Sequence, residues 1–390
     1  MKKRMIICLL CSILLVFSML SVFTISINAG GWEPSVDKIS GDFGYSYLSD
    51  GTIEISLYYG NANNLLIPSE IDGYKVSSIG VYAFTRCSSL VNVVIPNYVT
   101  NIGYGAFCNC KNLTSVDTGT GVTSIGTEAF QYCSNLMSIN LSNKLSTIGQ
   151  SAFESCSILS DITIPNSVTN IGIAAFRSTG FTRITIPNSV TSIRTGTFYY
   201  CRNLTCIDIP RSVTSIGIEA FAGCISLTNV KIPDSVTEIS ADAFEGCNNL
   251  TSIIIPRSVT KINSYAFGFN AYWDDVEEDI VHERYDDFTI YGYAGTAAET
   301  YAKENYFTFI ALNDNPQPTL GDADGDGEIT TIDVTNIQRY CALLKTNIDE
   351  EILIYADVDG DGVLSIIDAT YIQRYLAHIE IPFRIGEPKS

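Results

Sequence analysis

Two acidic segments near the carboxyl end of the sequence have the residue types and the spacing to bind a cation. Residues 321–333 read GDADGDGEITTID, and residues 356–368 read ADVDGDGVLSIID. Carboxylates placed this closely repel one another unless a bound cation neutralises them, and the glycines let the backbone turn sharply between them. The two segments therefore predict a pair of similar metal sites.

The spacing within each segment is that of an EF-hand calcium loop. Oxygen ligands alternate along such a loop, a glycine occupies the sharp turn, and a carboxylate closes the loop at its last position. Residue 7 of the loop, Glu328 or Val363, binds through its backbone carbonyl, so the side chain there can vary. The predicted ligands of two calcium ions are Asp322, Asp324, Asp326, Glu328, Thr330 and Asp333 in the first loop, and Asp357, Asp359, Asp361, Val363, Ser365 and Asp368 in the second.

Each loop is followed by a segment that predicts a helix. Apolar residues recur at helical spacing in VTNIQRYCALL after the first loop and in ATYIQRYLAHI after the second. Both loops close with Asp, whereas ordinary EF-hands close with Glu, and the first loop follows a proline-containing linker, NDNPQPT, at 313–319. Residues 320–390 are therefore predicted to form a small all-α domain built from two EF-hand-like loop–helix halves.

The tandem segments GDADGDGEITTIDVTNIQRYCALL and ADVDGDGVLSIIDATYIQRYLAHI resemble a type I dockerin, over about residues 320–384. The dockerin family shows Asp at the closing loop position. The resemblance implies that calcium is a cofactor and that the partner is a cohesin module of a scaffoldin. Through that contact dockerins attach their cargo to cellulosomes, the extracellular complexes with which anaerobic bacteria degrade plant polysaccharides.

The resemblance also implies that the cohesin is contacted by the two positions before the closing aspartate and by the following helix. These residues are Thr331, Ile332, Gln338, Arg339 and Leu343 in the first half, and Ile366, Ile367, Gln373, Arg374 and His378 in the second. The alternative for Ile332 and Ile367 is that they fill the small core. Because the two halves nearly match, either half could face the cohesin.

The middle of the chain, at residues 76–270, is a repeat array. The segment VSSIG at 76 is followed by similar segments, such as VTNIG, VTSIG and LSTIG. Consecutive segments begin 23 residues apart, except for one pair that is 22 residues apart. A fixed short period predicts a solenoid, in which each unit buries its apolar face against its neighbours. The threonines beside the strands, such as Thr123 and Thr214, then form either an ordinary solvated face or a recognition surface.

The repeat, written LTCIDIPRSVTSIGIEAFAGC in the unit from Leu204, resembles the leucine-rich repeats of bacterial surface antigens. The resemblance implies a leucine-rich repeat solenoid with an N-terminal cap at 30–75, and an acidic insertion followed by a C-terminal cap at 271–312. With the helical C-terminal domain, the fold class of the whole chain is α+β. The resemblance identifies no ligand, because leucine-rich repeats of this kind bind proteins and surfaces without a shared binding motif.

Seven cysteines fall three residues after a repeat phenylalanine and so form a column along the solenoid. They are Cys87, Cys110, Cys133, Cys156, Cys201, Cys224 and Cys247. A ladder of disulfides is one interpretation for an exported protein. The odd number and the interruption at Thr179 favour reduced thiols packed as small apolar groups. A zinc site in this column is disfavoured, because no CxxC pair or nearby histidine would complete four ligands.

The charge and the histidine content restrict the function. The formal net charge of −19 argues against nucleic acid as a partner, because phosphate binding needs clustered Lys and Arg. The two histidines, His282 and His378, lie outside the repeats, so a Ser-His-Asp or Cys-His arrangement within the solenoid is unavailable. We therefore expect no enzyme. The alternative is a polysaccharide hydrolase that uses paired carboxylates of the solenoid face or of the acidic insertion at 270–288, which otherwise predicts a solvated loop.

The beginning of the sequence predicts export. Basic residues at 2–4 precede an apolar stretch at 5–27, and NAG at 28–30 offers a cleavage site, so residues 1–29 read as a signal peptide. The alternative is a retained membrane anchor of a surface adhesin. The combined hypothesis is a secreted, non-catalytic component of a cell-surface or free cellulosome, whose repeats recognise an unknown protein or surface ligand.

Overall fold

The structure is a computed structural model, and it describes residues 35–274, 279–312, 320–324, 329–341, 353–359, 363–377 and 385. Its contacts divide the chain into two units, with the boundary between Thr179 and Gly180, and each unit is described by itself. No helix within those ranges has the length and the apolar character needed to cross a membrane. The predicted signal peptide and linker lie outside the described residues.

The first unit starts with antiparallel strands and continues into a parallel ladder. Its first six strands are β1 (Lys38–Ser40), β2 (Phe43–Tyr47), β3 (Ile53–Tyr58), β4 (Asn64–Leu66), β5 (Glu70–Ile71) and β6 (Tyr74–Ile79). Strands β1, β2 and β3 pair antiparallel, and β3 then pairs parallel with β6. The antiparallel strands thereby occupy the edge of β6, which a repeat array would otherwise leave open.

Each following repeat adds one strand to each of two parallel ladders. The strands are β7 (Asn92–Val94), β8 (Asn101–Ile102), β9 (Ser115–Asp117), β10 (Ser124–Ile125), β11 (Ser138–Asn140), β12 (Thr147–Ile148), β13 (Asp161–Ile162) and β14 (Asn170–Ile171). One ladder runs β6-β8-β10-β12-β14, and the other runs β4-β7-β9-β11-β13. Ile102 pairs with Ile125, and Ile125 with Ile148, because the repeat period brings the same residue to the same place in every turn.

The second unit repeats this arrangement. Its ladder strands are β15 (Arg183–Thr185), β16 (Ser192–Ile193), β17 (Cys206–Asp208), β18 (Ser215–Ile216), β19 (Asn229–Lys231), β20 (Glu238–Ile239), β21 (Ser252–Ile254) and β22 (Lys261–Ile262). One parallel ladder runs β15-β17-β19, and the other runs β16-β18-β20-β22. In β17 and β19 only the central residue of the three is buried, so the alternation expected of a half-buried strand is present.

The acidic insertion forms a β-hairpin, not the loop that its composition predicts. Strands β23 (Phe269–Asp274) and β24 (Asp279–Arg284) pair antiparallel. The ladder resumes when β21 pairs with β25 (Thr289–Gly292), which pairs in turn with β26 (Thr308–Ala311). Helix α1 (Ala297–Glu304) lies between β25 and β26, and its Ala298, Tyr301 and Ala302 are buried.

The described C-terminal residues are helical. Helix α2 (Thr331–Cys341) follows the first acidic loop, the short α3 (Leu353–Ala356) precedes the second loop, and α4 (Ile366–Leu376) follows it. The small core that these helices share consists of Ala323, Val334, Ile337, Ala356, Val358, Ala369, Ile372 and Ile385. The predicted pair of loop–helix halves is therefore present, with the addition of α3.

A column of stacked phenylalanines forms the centre of each unit. Neighbouring ring centroids lie 4.9–5.6 Å apart, and the stacked rings are within 15° of parallel. The rings are those of Phe84, Phe107, Phe130, Phe153 and Phe176 in the first unit, and of Phe198, Phe221, Phe244 and Phe267 in the second. Each ring therefore depends on the turns beside it for its burial.

The turn around each phenylalanine contains residues in the left-handed region that are mostly not glycine. Around Phe130, Glu128 has φ 57° and Tyr132 has φ 60°. Both backbone N–H groups donate to the next turn, Glu128 N to Gln150 O and Tyr132 N to Glu154 O, at 2.8 Å. These inter-turn hydrogen bonds hold a conformation that costs an L residue roughly 1–2 kcal/mol.

The substitution Ala174→Gly is expected to raise the free energy of unfolding by about 0.5–1 kcal/mol. Ala174 has φ 53°, and the steric cost that glycine removes there exceeds its extra conformational entropy of roughly 0.5–1 kcal/mol. The matched control is Ala175→Gly at the next, fully buried residue, which lacks a positive φ and should lose stability. Urea denaturation of both variants measures the difference, and equal losses would contradict the strain argument.

The cysteine column consists of thiols that are buried, except for the half-buried Cys87. The cysteines that the structure describes form no disulfide with one another. Within the column, the Sγ atoms of Cys110, Cys133 and Cys247 lie 3.0, 3.1 and 3.3 Å from the carbonyl oxygen of the phenylalanine in the preceding turn. Burial raises the pKa of Cys247 to about 12, so this thiol stays protonated at neutral pH. The packing of these thiols as small buried groups agrees with the sequence interpretation, and their reduced state stays a prediction.

Candidate metal centres and docking surface

The first acidic loop gathers three carboxylates at the start of α2. Asp322, Asp324 and Asp333 each offer an oxygen, and these oxygens all lie within 4.8 Å of one another. Asp322 and Asp333 are fully buried. Asp333 Oδ1 accepts from the backbone of Ala323 at 2.8 Å, and Oδ2 accepts from the backbone of Thr330 at 2.7 Å. Asp333 therefore joins the beginning of the loop to its end.

The second acidic loop has the same geometry at the start of α4. Asp357, Asp359 and Asp368 bring one oxygen each within 4.8 Å of the others. Asp368 Oδ1 accepts from the backbone of Val358, and Oδ2 from that of Ser365, both at 2.8 Å. Ser365 also caps α4, because its Oγ accepts from the backbone of the residue two positions on at 3.1 Å. The two loops are thus near copies in space as well as in sequence.

Both loops fit a hard divalent cation. Buried carboxylates a few ångströms apart are unfavourable unless a positive charge compensates them, and a set made only of oxygen donors suits calcium. Of the remaining predicted ligands, Thr330 and Ser365 hydrogen-bond the closing aspartates through their backbone N–H and hydroxyl groups, and Val363 is exposed. Asp326, Glu328 and Asp361 lie outside the described residues.

The predicted cohesin-contacting residues lie on the surface wherever the structure describes them. The exposed residues are Thr331, Ile332, Gln338, Arg339, Ile366, Ile367, Gln373 and Arg374. Ile332 and Ile367 are 56% and 51% exposed, so the alternative in which they fill the small core is wrong. Leu343 and His378 lie outside the described residues. The two halves therefore expose an isoleucine at the same position of each loop.

The first unit has a groove along one ladder that could hold a ligand of the repeats. The groove has a volume of about 540 Å³ and includes residues of β7, β9 and β11. Its polar side chains bond along the solenoid: Ser115 Oγ donates to Asn92 at 2.6 Å, and Asn140 Nδ2 donates to Asp117 at 3.1 Å. The groove is polar and regular, which favours an extended ligand over a small apolar one.

The threonine column has a structural use. Thr123 Oγ1 donates to the carbonyl of Thr100 at 3.0 Å, and Thr214 Oγ1 donates to the carbonyl of Thr191 at 3.2 Å. These hydroxyls are exposed and still reinforce the contact between neighbouring turns. The column is therefore accounted for without a ligand, although its hydroxyl oxygens can also accept hydrogen bonds.

A third group of ligand-type side chains was not predicted from the sequence. Asp242, Glu245 and His282 bring one ligand atom each within 4.8 Å of the others. The hairpin of the insertion carries His282 to the side of Glu245, so a histidine from outside the repeats contacts a repeat turn. Only the pairing of the hairpin, which the sequence did not indicate, could have revealed this contact.

Comparison with known proteins agrees with both parts of the chain. The profile of the BspA type leucine rich repeat region matches residues 56–179 and 152–272, in six copies, and the profile of the dockerin type I domain matches residues 320–377. Among curated proteins no match is found. Both matched families are typical of extracellular or surface proteins, and both are interaction modules, which agrees with the expectation of a non-enzyme.

One solved structure has the same repeat fold, and a second is similar in sequence over part of the chain. A leucine-rich repeat protein from Bacteroides ovatus is 28% identical, with a TM-score of 0.51, over 71% of this chain and 77% of that one. The leucine-rich repeat protein TpLRR of T. pallidum is 34% identical over 48% of this chain and 88% of that one, with a TM-score of 0.46. Since the repeat profile covers more than half of the residues, the chain belongs to the BspA-type leucine-rich repeat family, and it carries a type I dockerin domain at residues 320–377.

Proposed function

We propose that the chain is an exported, non-catalytic cellulosome component. Its dockerin binds a cohesin module of a scaffoldin in a calcium-dependent manner, and its repeats recognise a protein or surface ligand. The observation that carries the proposal is the duplicated geometry of the C-terminal loops. Each loop gathers three carboxylates and leads directly into a helix whose first residues, such as Ile332 and Ile367, are exposed.

Calcium would act by fixing the start of each helix. In the first loop, Asp333 both belongs to the carboxylate group and accepts hydrogen bonds from the backbone of Ala323 and Thr330. A calcium ion held by the loop therefore orients the residues immediately before Asp333 and the first turn of α2. Two ions, one in each loop, would shape both halves of the docking surface in the same way.

The near identity of the halves supports two ways of binding the cohesin. Gln338 and Arg339 on α2 correspond to Gln373 and Arg374 on α4, and all four side chains are exposed. A rotation that exchanges the halves would present almost the same groups to the partner. Thr331 and Ile366 differ at one exposed position, so the affinities of the two orientations need not be equal.

The decisive experiment changes one half at a time. One variant combines Gln338→Ala with Arg339→Ala, and the other combines Gln373→Ala with Arg374→Ala. We expect either variant to weaken cohesin binding by only about twofold, because one of two binding modes remains. All four substitutions together should weaken it by about a hundredfold or more, as expected when exposed arginine contacts are lost in both modes. Calorimetry with a panel of cohesins in calcium measures both effects.

The controls separate lost contacts from lost structure. Because the four side chains are exposed, each variant should keep its calcium-dependent helical circular dichroism. The combined variant binding cohesin like the parent chain would refute the assigned surface. Complete loss from one half alone would refute the two-orientation proposal and assign docking to that half.

A further inference from the structure

The last repeats and the hairpin of the acidic insertion bring three potential metal ligands together. Asp242 and Glu245 lie in the turn that follows β20, and His282 lies on β24. The Nδ1 atom of His282 is 2.7 Å from Glu245 Oε1, and one ligand atom of Asp242 lies within 4.8 Å of both groups. His282 lies 37 residues from Glu245 in the sequence, and the three residues belong to neither acidic loop of the dockerin.

Paired backbone holds both sides of this cluster in place. Asp242 has φ 58°, its N–H donates to Ser264 O at 3.1 Å, and its carbonyl accepts from Glu245 N at 3.1 Å. The two carboxylates therefore come from one fixed turn beside Phe244. On the opposite side, His282 lies in the paired hairpin, and its ring stacks on Tyr265 with centroids 3.6 Å apart and planes 2° apart.

The burial of the cluster favours a ligand between its side chains. Asp242 Oδ1 is buried and has no hydrogen-bond partner among the residues that the structure describes. The side chains of His282 and Glu245 are only 20% and 17% exposed. Two partly buried carboxyl groups therefore face one imidazole, and one of their acceptor oxygens has no donor.

A simple hydrogen-bonded pair of His282 and Glu245 explains less of this geometry. Such a pair accounts for the 2.7 Å contact, but it leaves Asp242 Oδ1 buried without a partner. A divalent cation between the three groups would bind one atom from each and would neutralise both carboxylates. Buried acceptors of this kind normally have a hydrogen-bond or metal partner in a folded protein. A ligand that binds Asp242 therefore explains the geometry more completely than the His282–Glu245 pair alone.

We propose that Asp242, Glu245 and His282 bind a divalent transition-metal ion of the zinc class. One imidazole nitrogen and two carboxylate oxygens match the ligand preferences of zinc, whereas calcium and magnesium take oxygen ligands alone. Three protein ligands leave a fourth position for water or for an oxygen of a bound partner. The ion would fasten the hairpin, β23 and β24, to the repeat turn that contains Phe244.

The test uses the full chain without an affinity tag and with calcium in excess, so that the dockerin loops are occupied. Since the chain contains two histidines, His282 and His378, imidazole nitrogen NMR reports each ring. We expect addition of one equivalent of Zn²⁺ to shift the resonances of His282 and to leave those of His378 in place. Zn²⁺ should also slow proteolysis of the hairpin.

Substitutions of similar shape identify the ligands. We expect Asp242→Asn, Glu245→Gln and His282→Gln each to weaken Zn²⁺ binding by about a hundredfold or more, since each removes a direct ligand. The matched control is Glu283→Gln, an exposed residue beside His282 on β24, which should bind like the parent chain. The amide variants preserve shape, so circular dichroism and resistance to urea should be retained.

Three results would overturn the proposal. They are a shift of the His378 resonances alone, unchanged binding in both carboxylate variants, and no Zn²⁺ binding to the parent chain at micromolar ion concentrations. The experiment needs no cohesin, so its outcome is independent of whether the dockerin binds a scaffoldin.

Discussion

Removing calcium from the purified protein is expected to unfold residues 320–377 and to abolish cohesin binding, while the repeats stay folded. Four carboxylates, Asp322, Asp333, Asp357 and Asp368, are almost completely buried in a domain whose core consists of eight small or medium side chains. Three of those eight are alanines. Such a core supplies little burial energy, so the folded state depends on the cation that compensates the carboxylates.

The measurement separates the two domains by their response to a chelator. Far-UV circular dichroism should lose its helical part, the thermal unfolding of the repeats should be unchanged, and calorimetry should give no heat with any cohesin that binds in calcium. Asp333→Asn and Asp368→Asn are expected to reproduce the loss one loop at a time, each weakening calcium binding by about tenfold or more. Asp208→Asn, at an exposed position of β17, is the control for loss of an acidic side chain.

Retention of the helical signal and of cohesin binding in chelator would contradict calcium-dependent folding. A different result, in which the domain stays helical but no longer binds, would assign calcium to shaping the docking surface alone. The two aspartate variants distinguish these cases. If calcium only shapes the docking surface, the loss of folding and the loss of binding occur at different calcium concentrations. If calcium is needed for folding, both occur together.

The features that the sequence predicted well are local or periodic. Asp322, Asp324 and Asp333 lie within one loop, so their spacing alone determines that they can meet at one ion. The ladders follow from the repeat period, which places Ile102, Ile125 and Ile148 in register. In both cases the geometry is set by residues that are neighbours in the chain or in the repeat, and no long-range contact has to be known in advance.

The features that the sequence did not predict depend on contacts between distant segments. The cluster of Asp242, Glu245 and His282 requires the insertion to pair as a hairpin, and the acidic composition of the insertion indicated a loop. The left-handed backbone conformations of residues such as Glu128 and Tyr132 were also not predicted, because hydrogen bonds to the next turn hold these residues there. Residue preference alone would place glycine or asparagine at such positions.

The substitution Phe130→Ala is expected to lower the free energy of unfolding of the repeats by about 3–5 kcal/mol. Phe130 is fully buried, and its ring stacks between those of Phe107 and Phe153 at centroid distances of 5.2 and 5.4 Å. Removing the ring takes away burial, leaves a cavity and breaks two aromatic contacts, each worth about 0.5–1.5 kcal/mol beyond burial. Few single changes in the repeats combine all three losses.

The same substitution should also change how the repeats unfold. In a solenoid each turn is stabilised by its neighbours, so a weak turn in the middle uncouples the turns on its two sides. Urea denaturation of Phe130→Ala should therefore show a lower midpoint and a shallower dependence on urea, the sign of lost cooperativity. Met137→Ala, in the same unit and 55% exposed, is the matched control and should change stability by less than about 0.5 kcal/mol. A loss below about 1 kcal/mol in Phe130→Ala, with an unchanged urea dependence, would mean that the neighbouring turns close over the cavity and that the ring column is not what couples them.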